Sequence, residues 1–157
     1  MTWSVVAAAT LLPLLAGTIA LLAGLRRRFV VISVKGQSMR PALHAGDRVL
    51  VRRRPLRHVR AGDIVVVERG ARGSRGLSGR DWVIKRAAAV PGDPVPASVA
   101  TPMSAPPGTP VPDGRLLVLG DNTTGSVDSR HYGYLPGAGV LGVVVRRLPP
   151  APEAGDR

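Results

Sequence analysis

The chain begins with a long apolar stretch. Residues 1–25 carry no charged side chain, and the segment Val5–Leu25 is almost wholly apolar. At ~1.5 Å per residue in an α-helix, this segment can cross a hydrocarbon core of ~30 Å. A cleaved export signal usually has a basic start and a shorter apolar stretch. The pattern therefore predicts a single transmembrane anchor over residues 1–28, which ends at the basic cluster Arg26–Arg28.

After the anchor, the pattern changes to short segments that are rich in β-branched residues and separated by Gly, Pro and Asp. Such segments are typical of β-strands joined by turns. The predicted strands are Phe29–Val34, Asp47–Arg52, Asp63–Glu68, Trp82–Ala89, Arg115–Leu119 and Val140–Arg146. We therefore expect a mostly β domain over residues 29–148.

Three further segments have the composition of connectors. Arg69–Arg80 is rich in Gly, Arg and Ser and predicts a mobile loop. Pro91–Pro112 holds eight prolines in 22 positions and predicts an extended connector rather than a packed element. Residues 149–157 have the composition of a frayed tail.

The composition excludes several kinds of chemistry. The chain has no cysteine, so disulfides, thiolate catalysis and Cys-ligated metals are excluded. Its three histidines lack a carboxylate cluster, which disfavours a zinc site. The formal net charge of +12 suits nucleic acid or anionic lipid as a partner. Only Lys35 and Lys85 among the 22 basic residues are lysines, so each lysine is an exception that needs a reason.

Two residues have the character of a nucleophile and its base. Ser38 lies between two predicted strands, on a turn that can present its hydroxyl group. Lys85 lies in a predicted strand of apolar and small residues, and burial lowers the pKa of a lysine. A neutral lysine can accept a proton from a serine hydroxyl, whereas arginine stays protonated. Each residue alone is equally compatible with an ordinary turn serine or a solvent-facing strand lysine.

A third segment, residues 120–133, combines turn-forming residues with hydroxyl groups and charges. Ser126 supplies one hydroxyl group, and Asp128 can pair with Arg130. A solvated polar turn has the same composition, so this segment is informative only together with the other two.

In this order, the three segments resemble the boxes of the type I signal peptidases. They read Gly-Gln-Ser-Met-Arg-Pro at 36–41, Ile-Lys-Arg at 84–86 followed by Pro-Gly-Asp, and Gly-Asp-Asn with Ser-Val-Asp-Ser-Arg at 120–130. The resemblance covers most of the chain. It implies an N-terminal membrane helix and an antiparallel β catalytic domain, and no metal or organic cofactor.

The resemblance also implies roles for individual residues. Ser38 would be the nucleophile and Lys85 its general base, with Ser126 orienting the lysine. Asp128 and Arg130 would support that arrangement. Within the nucleophile box, Met39 follows the serine, and the oxyanion would bind the Ser38 backbone N–H. Gly36 stands where some relatives carry an extra hydroxyl group, which leaves the oxyanion with less side-chain help.

The implied function is removal of signal peptides from exported proteins, by cleavage after small residues beside the lipid bilayer. Such substrates emerge outside the cytoplasm, so we expect the catalytic domain on the extracytoplasmic side of the cell membrane. Arg26–Arg28 favour the opposite orientation by the positive-inside rule. Charge alone therefore leaves the topology open.

Three alternatives remain at this stage. A dedicated peptidase could process a single exported substrate. A Ser-His-Asp triad could be drawn from Ser38, Asp128 and either His44 or His131, but the Ser–Lys pair explains more of the residues. A membrane-tethered, arginine-rich nucleic-acid-binding protein would suit the net charge, although the chain has few aromatic residues for stacking.

Overall fold

The computed structural model describes residues 15–20, 22–69, 82–103 and 106–149. Its main feature is one antiparallel sheet of seven strands. The strands are β1 (Phe29–Ser33), β2 (Arg48–Arg53), β3 (Ile64–Glu68), β4 (Trp82–Ala89), β5 (Arg115–Leu119), β6 (Leu135–Pro136) and β7 (Val140–Leu148). The mostly β, antiparallel fold expected from the sequence is confirmed. The six predicted strands are all present, with ends that differ by at most two residues, while β6 was not predicted.

The last strand lies in the middle of the sheet. The strand order is β1-β2-β7-β3-β4-β5-β6, so β7 pairs with both β2 and β3. The two β-bulges along β7, opposite Leu50/Val51 and Val66/Val67, increase the local twist of the sheet. The resulting curvature lets β1 and β4 line one cavity, although three strands separate them in the sheet order.

Valine and leucine side chains form the core on both sides of the strands. The fully buried members of β2, β3 and β5 are mostly valines and leucines, which are the types that fit a pleated, buried surface. One cluster contains Val65, Val67 and Val118, and a second contains Val49, Val51 and Val66. Consecutive residues of β3 thus enter different clusters, as the two-residue period of a strand requires.

The segment 91–112 differs from the expectation of an extended connector, and that prediction was wrong. It contains the helix α1 (Ala97–Met103), and Val95, Val99 and Ala100 are buried in a third cluster. Pro96 precedes the helix, where a missing backbone N–H costs nothing. The prolines therefore limit the length of the helix but do not prevent the segment from packing. The expected mobile loop, apart from Arg69, and the expected tail beyond residue 149 lie outside the described residues.

The N-terminal helix, residues 15–20 and 22–28, leads directly into β1. It exposes four large apolar side chains, Leu15, Ile19, Leu22 and Leu25. Among the described residues, no helix is long and apolar enough to span a membrane. The predicted anchor includes residues 1–14 and 21, which lie outside the described part of the chain.

Candidate active site

Ser38 lies on the turn that joins β1 to β2, as the pattern of strands predicts. Its side chain is half-buried, while the next residue, Met39, is 2% exposed and belongs to the core. The Leu43 backbone N–H donates to the Met39 carbonyl at 2.9 Å, and Leu43 is also buried. Gly36 enters the turn with a φ of 77°, in the left-handed region that favours glycine. Two buried apolar side chains thus fix a turn whose serine remains accessible.

Lys85 is buried in the centre of β4, where only 4% of the residue is exposed. Its backbone lies opposite Val65 of β3, and Ala87 on the same side of β4 is part of the core. The Lys85 Nζ donates a hydrogen bond of 2.9 Å to the Ser126 Oγ. The expectation that this lysine is buried is confirmed, and its ammonium end contacts one hydroxyl group.

Burial lowers the pKa of Lys85 below its ordinary value of 10.5. The Asp128 carboxylate acts in the opposite direction and raises it, while the positive charges of Arg69 and Arg130 lower it further. Burial is the largest of these effects, because a buried ammonium loses its hydration. Lys85 therefore loses its proton to become a neutral amine more readily than a lysine at the protein surface does.

Asp128 anchors the polar groups behind the lysine. Its carboxylate is fully buried and accepts hydrogen bonds from the Arg130 guanidinium at 2.9 and 2.7 Å. It also accepts from the Gly120 N–H at 2.9 Å and from the Ser126 hydroxyl. Burial alone would raise the pKa of Asp128, but these donors outweigh it and hold the pKa well below its usual range. We call Lys85, Ser126, Asp128 and Arg130 the site network.

Ser38 and Lys85 line the same cavity, which has a volume of about 280 Å³. Its walls come from β1, the Ser38 turn and the first half of β4, including Ile32, Val34 and Trp82. The walls are mainly apolar side chains, and the polar residues that line the cavity are Ser33, Lys35, Ser38 and Lys85. This arrangement can hold a short extended peptide beside a nucleophile and a base.

Gly120 allows three parts of the site to approach closely. A Cβ atom at this position would lie 2.5 Å from the Ser38 carbonyl oxygen and 2.5 Å from the Ser126 Cβ, closer than atoms can pack. Only glycine therefore fits at the end of β5, where its N–H also reaches Asp128. The sequence analysis quoted Gly120 as part of a box but assigned it no role. The sequence does not show that Gly120 faces the backbone of the Ser38 turn, and this contact is what requires a glycine.

Asn122 connects the third box to the nucleophile turn. Its backbone N–H donates to the Ser38 carbonyl at 3.0 Å, and its side-chain Nδ2 donates to the Gln37 carbonyl at 3.2 Å. One residue earlier, Asp121 pairs with Arg86 of β4 through two hydrogen bonds of 2.8 and 2.6 Å. The loop at 120–122 is therefore tied both to the serine turn and to the strand that carries Lys85.

The histidines lie apart from the Ser38–Lys85 cavity. His44 is exposed, and neither His44 nor His131 is among the residues that line the cavity. His131 accepts a hydrogen bond from the Asp128 backbone N–H through Nδ1, in a capping box at the start of α2 (Ser129–Tyr132). In the described part of the chain, no three His, Asp or Glu side chains are grouped so that they could hold a metal ion.

The chain is similar in sequence to several known proteins. The probable signal peptidase I-2 of Synechocystis sp. is 32% identical over 140 residues, covering 78% of this chain and 64% of the relative. The probable signal peptidase I-1 of the same organism is 30% identical and covers 88% and 82%. The mitochondrial inner membrane protease subunit 1 of Schizosaccharomyces pombe is 30% identical and covers 80% and 76%.

These three relatives are all named as peptidases or proteases. A family match narrows the assignment, because residues 7–101 and 98–148 match the family described as "Signal peptidase, peptidase S26". The chain belongs to that family. The alignment spans just under two thirds of the first relative and about four fifths of the second.

Proposed function

We propose that this chain is a serine endopeptidase that removes signal peptides from exported proteins, with Ser38 as nucleophile and Lys85 as general base. The observation that carries the proposal is a buried lysine of lowered pKa in the same cavity as an accessible turn serine. Family membership supports the same reaction, since relatives aligned over most of the chain are named signal peptidases.

The direction of the Ser126 hydroxyl prepares Lys85 for proton transfer. Asp128 is ionised and can only accept hydrogen bonds, so the Ser126 O–H points toward it. The Ser126 Oγ is then left to accept from Lys85 Nζ. A neutral amine has two hydrogens and one lone pair. With one N–H held by Ser126, the lone pair is free to face the cavity that contains Ser38.

The first half of the reaction forms an acyl-enzyme. Lys85 takes the proton of the Ser38 hydroxyl as the oxygen attacks the scissile carbonyl. The resulting ammonium then gives this proton to the departing amine, and the mature protein leaves while the signal peptide stays bound as an ester on Ser38. In the second half, Lys85 takes a proton from water as the water oxygen attacks the ester. The ammonium returns this proton to the Ser38 oxygen as the ester bond breaks, and the signal peptide leaves as a carboxylic acid.

The backbone N–H of Ser38 is available to hold the oxyanion. Among the described residues, no acceptor is bonded to it, whereas the Ser38 carbonyl is occupied by Asn122. Preorganised donors of this kind stabilise the charge that develops on the carbonyl oxygen. Gly36 has no side chain to add a second donor, so the backbone carries more of this stabilisation here.

Residues 1–28 form the proposed transmembrane anchor, residues 29–148 the catalytic domain and residues 149–157 a tail. The exposed apolar side chains of the N-terminal helix support this division, because water is a poor environment for them. The catalytic domain lies on the extracytoplasmic side, where signal peptides emerge. C-terminal reporter fusions test the orientation, and a fusion active only in the cytoplasm would contradict both the topology and the substrate.

The test of function is cleavage of a panel of signal peptides by the purified full-length chain in detergent. Peptides with alanine at the first and third positions before the cut should be cleaved, and peptides with bulky residues there should resist cleavage. The Ser38→Ala variant is the matched control and should be inactive with an unchanged melting temperature. Cleavage of one peptide only would favour a dedicated processing enzyme, and no cleavage by the wild type would reject the proposal.

A further inference from the structure

Two runs of three arginines meet at one end of the sheet. Arg52 and Arg53 end β2 and Arg54 follows, while Arg26–Arg28 end the N-terminal helix just before β1. The register of β1 and β2 places Phe29 opposite Arg52. Paired residues in an antiparallel ladder are ~5 Å apart, so the two runs begin within roughly 10 Å of each other. We call Arg26–Arg28 and Arg52–Arg54 the arginine end.

Three arginines that the structure describes pair with aspartates, whereas those of the arginine end do not. Arg86, Arg130 and Arg147 each pair with an aspartate at 2.6–2.8 Å. None of the six side chains of the arginine end makes an ion pair with any residue that the structure describes. Arg26–Arg28 and Arg53 are exposed, and Arg52 and Arg54 are half-buried. Two runs of three arginines thus lie side by side in the fold with no ion pair to a described residue.

We propose that the arginine end binds the phosphate groups of anionic phospholipids. Guanidinium groups match phosphate oxygens in geometry and charge, and a cluster of such residues beside an apolar helix is typical of anionic headgroup binding. The helix that leads into the cluster exposes Leu15, Ile19, Leu22 and Leu25, which suit the acyl region next to those headgroups. Because the apolar helix leads directly into the cluster, Arg26–Arg28 can lie beside the headgroups of either leaflet.

Lipid is favoured over nucleic acid by what surrounds the cluster. Single-stranded nucleic acids are bound through aromatic side chains on which bases stack, and the whole chain has an aromatic content of 3%. Trp82 begins β4 at the same end of the sheet as Arg53. On β7, Gly142 pairs with Arg53, and Val140, two residues away, pairs with Val67 of β3, the strand next to β4. Trp82 is 38% exposed, and tryptophan is enriched at the membrane interface.

Headgroup binding at this place adds a second attachment point to the proposed anchor. A helix alone would attach the catalytic domain to the bilayer at a single point. Phosphates held by both β2 and the helix end fix the sheet relative to the bilayer surface, and with it the cavity beside β1. The inference rests on the proposed membrane location but not on the cleavage reaction, so the two can fail independently.

The test is a thermal-shift titration of the full-length chain in micelles of a neutral detergent, without substrate. The probes are short-chain phosphatidylglycerol and, in parallel, phosphatidylcholine of the same chain length. Phosphatidylglycerol should raise the melting temperature in a saturable way, since a ligand that binds only the native state stabilises it. Phosphatidylcholine should have no such effect, and added salt should weaken the response.

Matched variants locate the binding site. Arg53→Gln/Arg54→Gln should weaken the apparent affinity for phosphatidylglycerol roughly 25-fold, or about fivefold for each arginine near a lipid surface. Arg26→Gln/Arg27→Gln should act similarly. Arg48→Gln/Arg146→Gln removes the same charge farther along β2 and β7 and should change the affinity less than twofold. Melting curves without lipid confirm that all variants are folded.

Several results would overturn the proposal. Equal responses to the two lipids, or equal losses in the variant pairs at both ends of the strands, would show that no headgroup site exists at the arginine end. An equal response to inorganic phosphate would indicate a free-phosphate site. Saturable binding of a short single-stranded DNA in place of phosphatidylglycerol would indicate a nucleic-acid surface.

Discussion

The site network and the arginine end both contain positively charged side chains, but these side chains are buried or half-buried and hydrogen-bonded in the first and lack ion pairs with described residues in the second. In the site network, Lys85 and Arg130 lie around the buried Asp128 and are connected through hydrogen bonds. At the arginine end, four exposed and two half-buried arginines have no ion pair to the described residues. Burial makes one cation reactive by lowering its pKa, while exposure leaves the others as permanent charges available to a partner.

The choice of basic residue follows from this difference. Arginine supplies most of the fixed charges, including the one that supports Asp128, and Lys35 is the one exposed lysine. The buried Lys85 can lose its proton, whereas a guanidinium group cannot be deprotonated in a protein. The comparison predicts that exchanging the two residue types is harmful in the site network and nearly neutral at the arginine end.

Replacing Lys85 is expected to have the largest effect. Lys85→Arg keeps the charge and Lys85→Met keeps the approximate shape, but neither can accept a proton at neutral pH. Both variants should lower kcat by about a thousandfold or more, measured with a cleavable signal peptide. Lys85→Met should be at least as stable as the wild type at pH 7, because burial of a lysine with a lowered pKa destabilises the fold below pH 10.5. Near-normal turnover by Lys85→Arg would remove the lysine from the mechanism.

The second prediction concerns the buried carboxylate. Asp128→Asn should lower the free energy of unfolding by about 3 kcal/mol, because it leaves Arg130 and the Gly120 N–H without their ionised acceptor. The control is Asp47→Asn, which removes a carboxylate paired with the exposed Arg147 and should cost less than about 1 kcal/mol. Urea unfolding measures both values.

The pH dependence of that loss has a defined sign. The pKa of Asp128 is depressed in the folded protein, so its contribution is complete above the unfolded value of about 4 and declines as the pH falls below it. The stability difference between wild type and Asp128→Asn should therefore shrink under acidic conditions. A difference that stays constant from pH 7 to pH 2 would contradict the assignment.

Ser126→Ala tests the orientation of the lysine. Removing the hydroxyl group frees Lys85 Nζ to rotate, and we expect kcat to fall about a hundredfold with little change in KM. Ser126→Thr keeps a hydroxyl group and should recover part of the activity. A purely structural role for Ser126 would instead appear as a lower melting temperature with normal turnover in the folded fraction.

The pH profile of the wild-type enzyme gives a smaller and graded effect. Since the neutral amine of Lys85 is the active form, kcat/KM should rise about tenfold per pH unit up to the pKa of Lys85 and then level off. Burial lowers this pKa, so the plateau should begin below pH 10.5. Acylating Ser38 with an activated acyl donor allows the hydrolysis of the ester to be measured separately from its formation. A profile that is flat below pH 8 would argue against a lysine base.

The smallest effect is expected at the arginine end. Arg53→Gln/Arg54→Gln should change the free energy of unfolding by no more than about 0.5 kcal/mol and leave peptide cleavage in neutral detergent unchanged. Chemical denaturation and the same peptide assay measure both quantities. A large loss of stability would mean that these side chains have a structural role in the sheet, and the contrast between the two regions would no longer hold.

Local pattern was a good guide where one short segment determines its own structure. The six predicted strands are present because β-branched runs between turn residues fit a buried pleated surface wherever they pair. For residues 91–112, the same reasoning gave a wrong prediction. Their prolines indicated an extended chain, but Val95, Val99 and Ala100 gained enough burial against β4 and β5 to hold a short helix. The two-residue β6 was missed because it exists only through its pairing with β5.

The sequence by itself determined the residue types on which the site depends: a serine on a turn, a rare lysine in an apolar strand, and an Asp128–Arg130 pair near a hydroxyl. Their chemistry is local and can be recognised without coordinates. Tertiary structure decided what these groups can do. Lys85 and Ser126 are 41 residues apart, and only the folded sheet brings them to hydrogen-bonding distance and removes water from the lysine. Likewise, the need for glycine at position 120 and the meeting of Arg26–Arg28 with Arg52–Arg54 depend on strand register, which arises from pairing between distant segments.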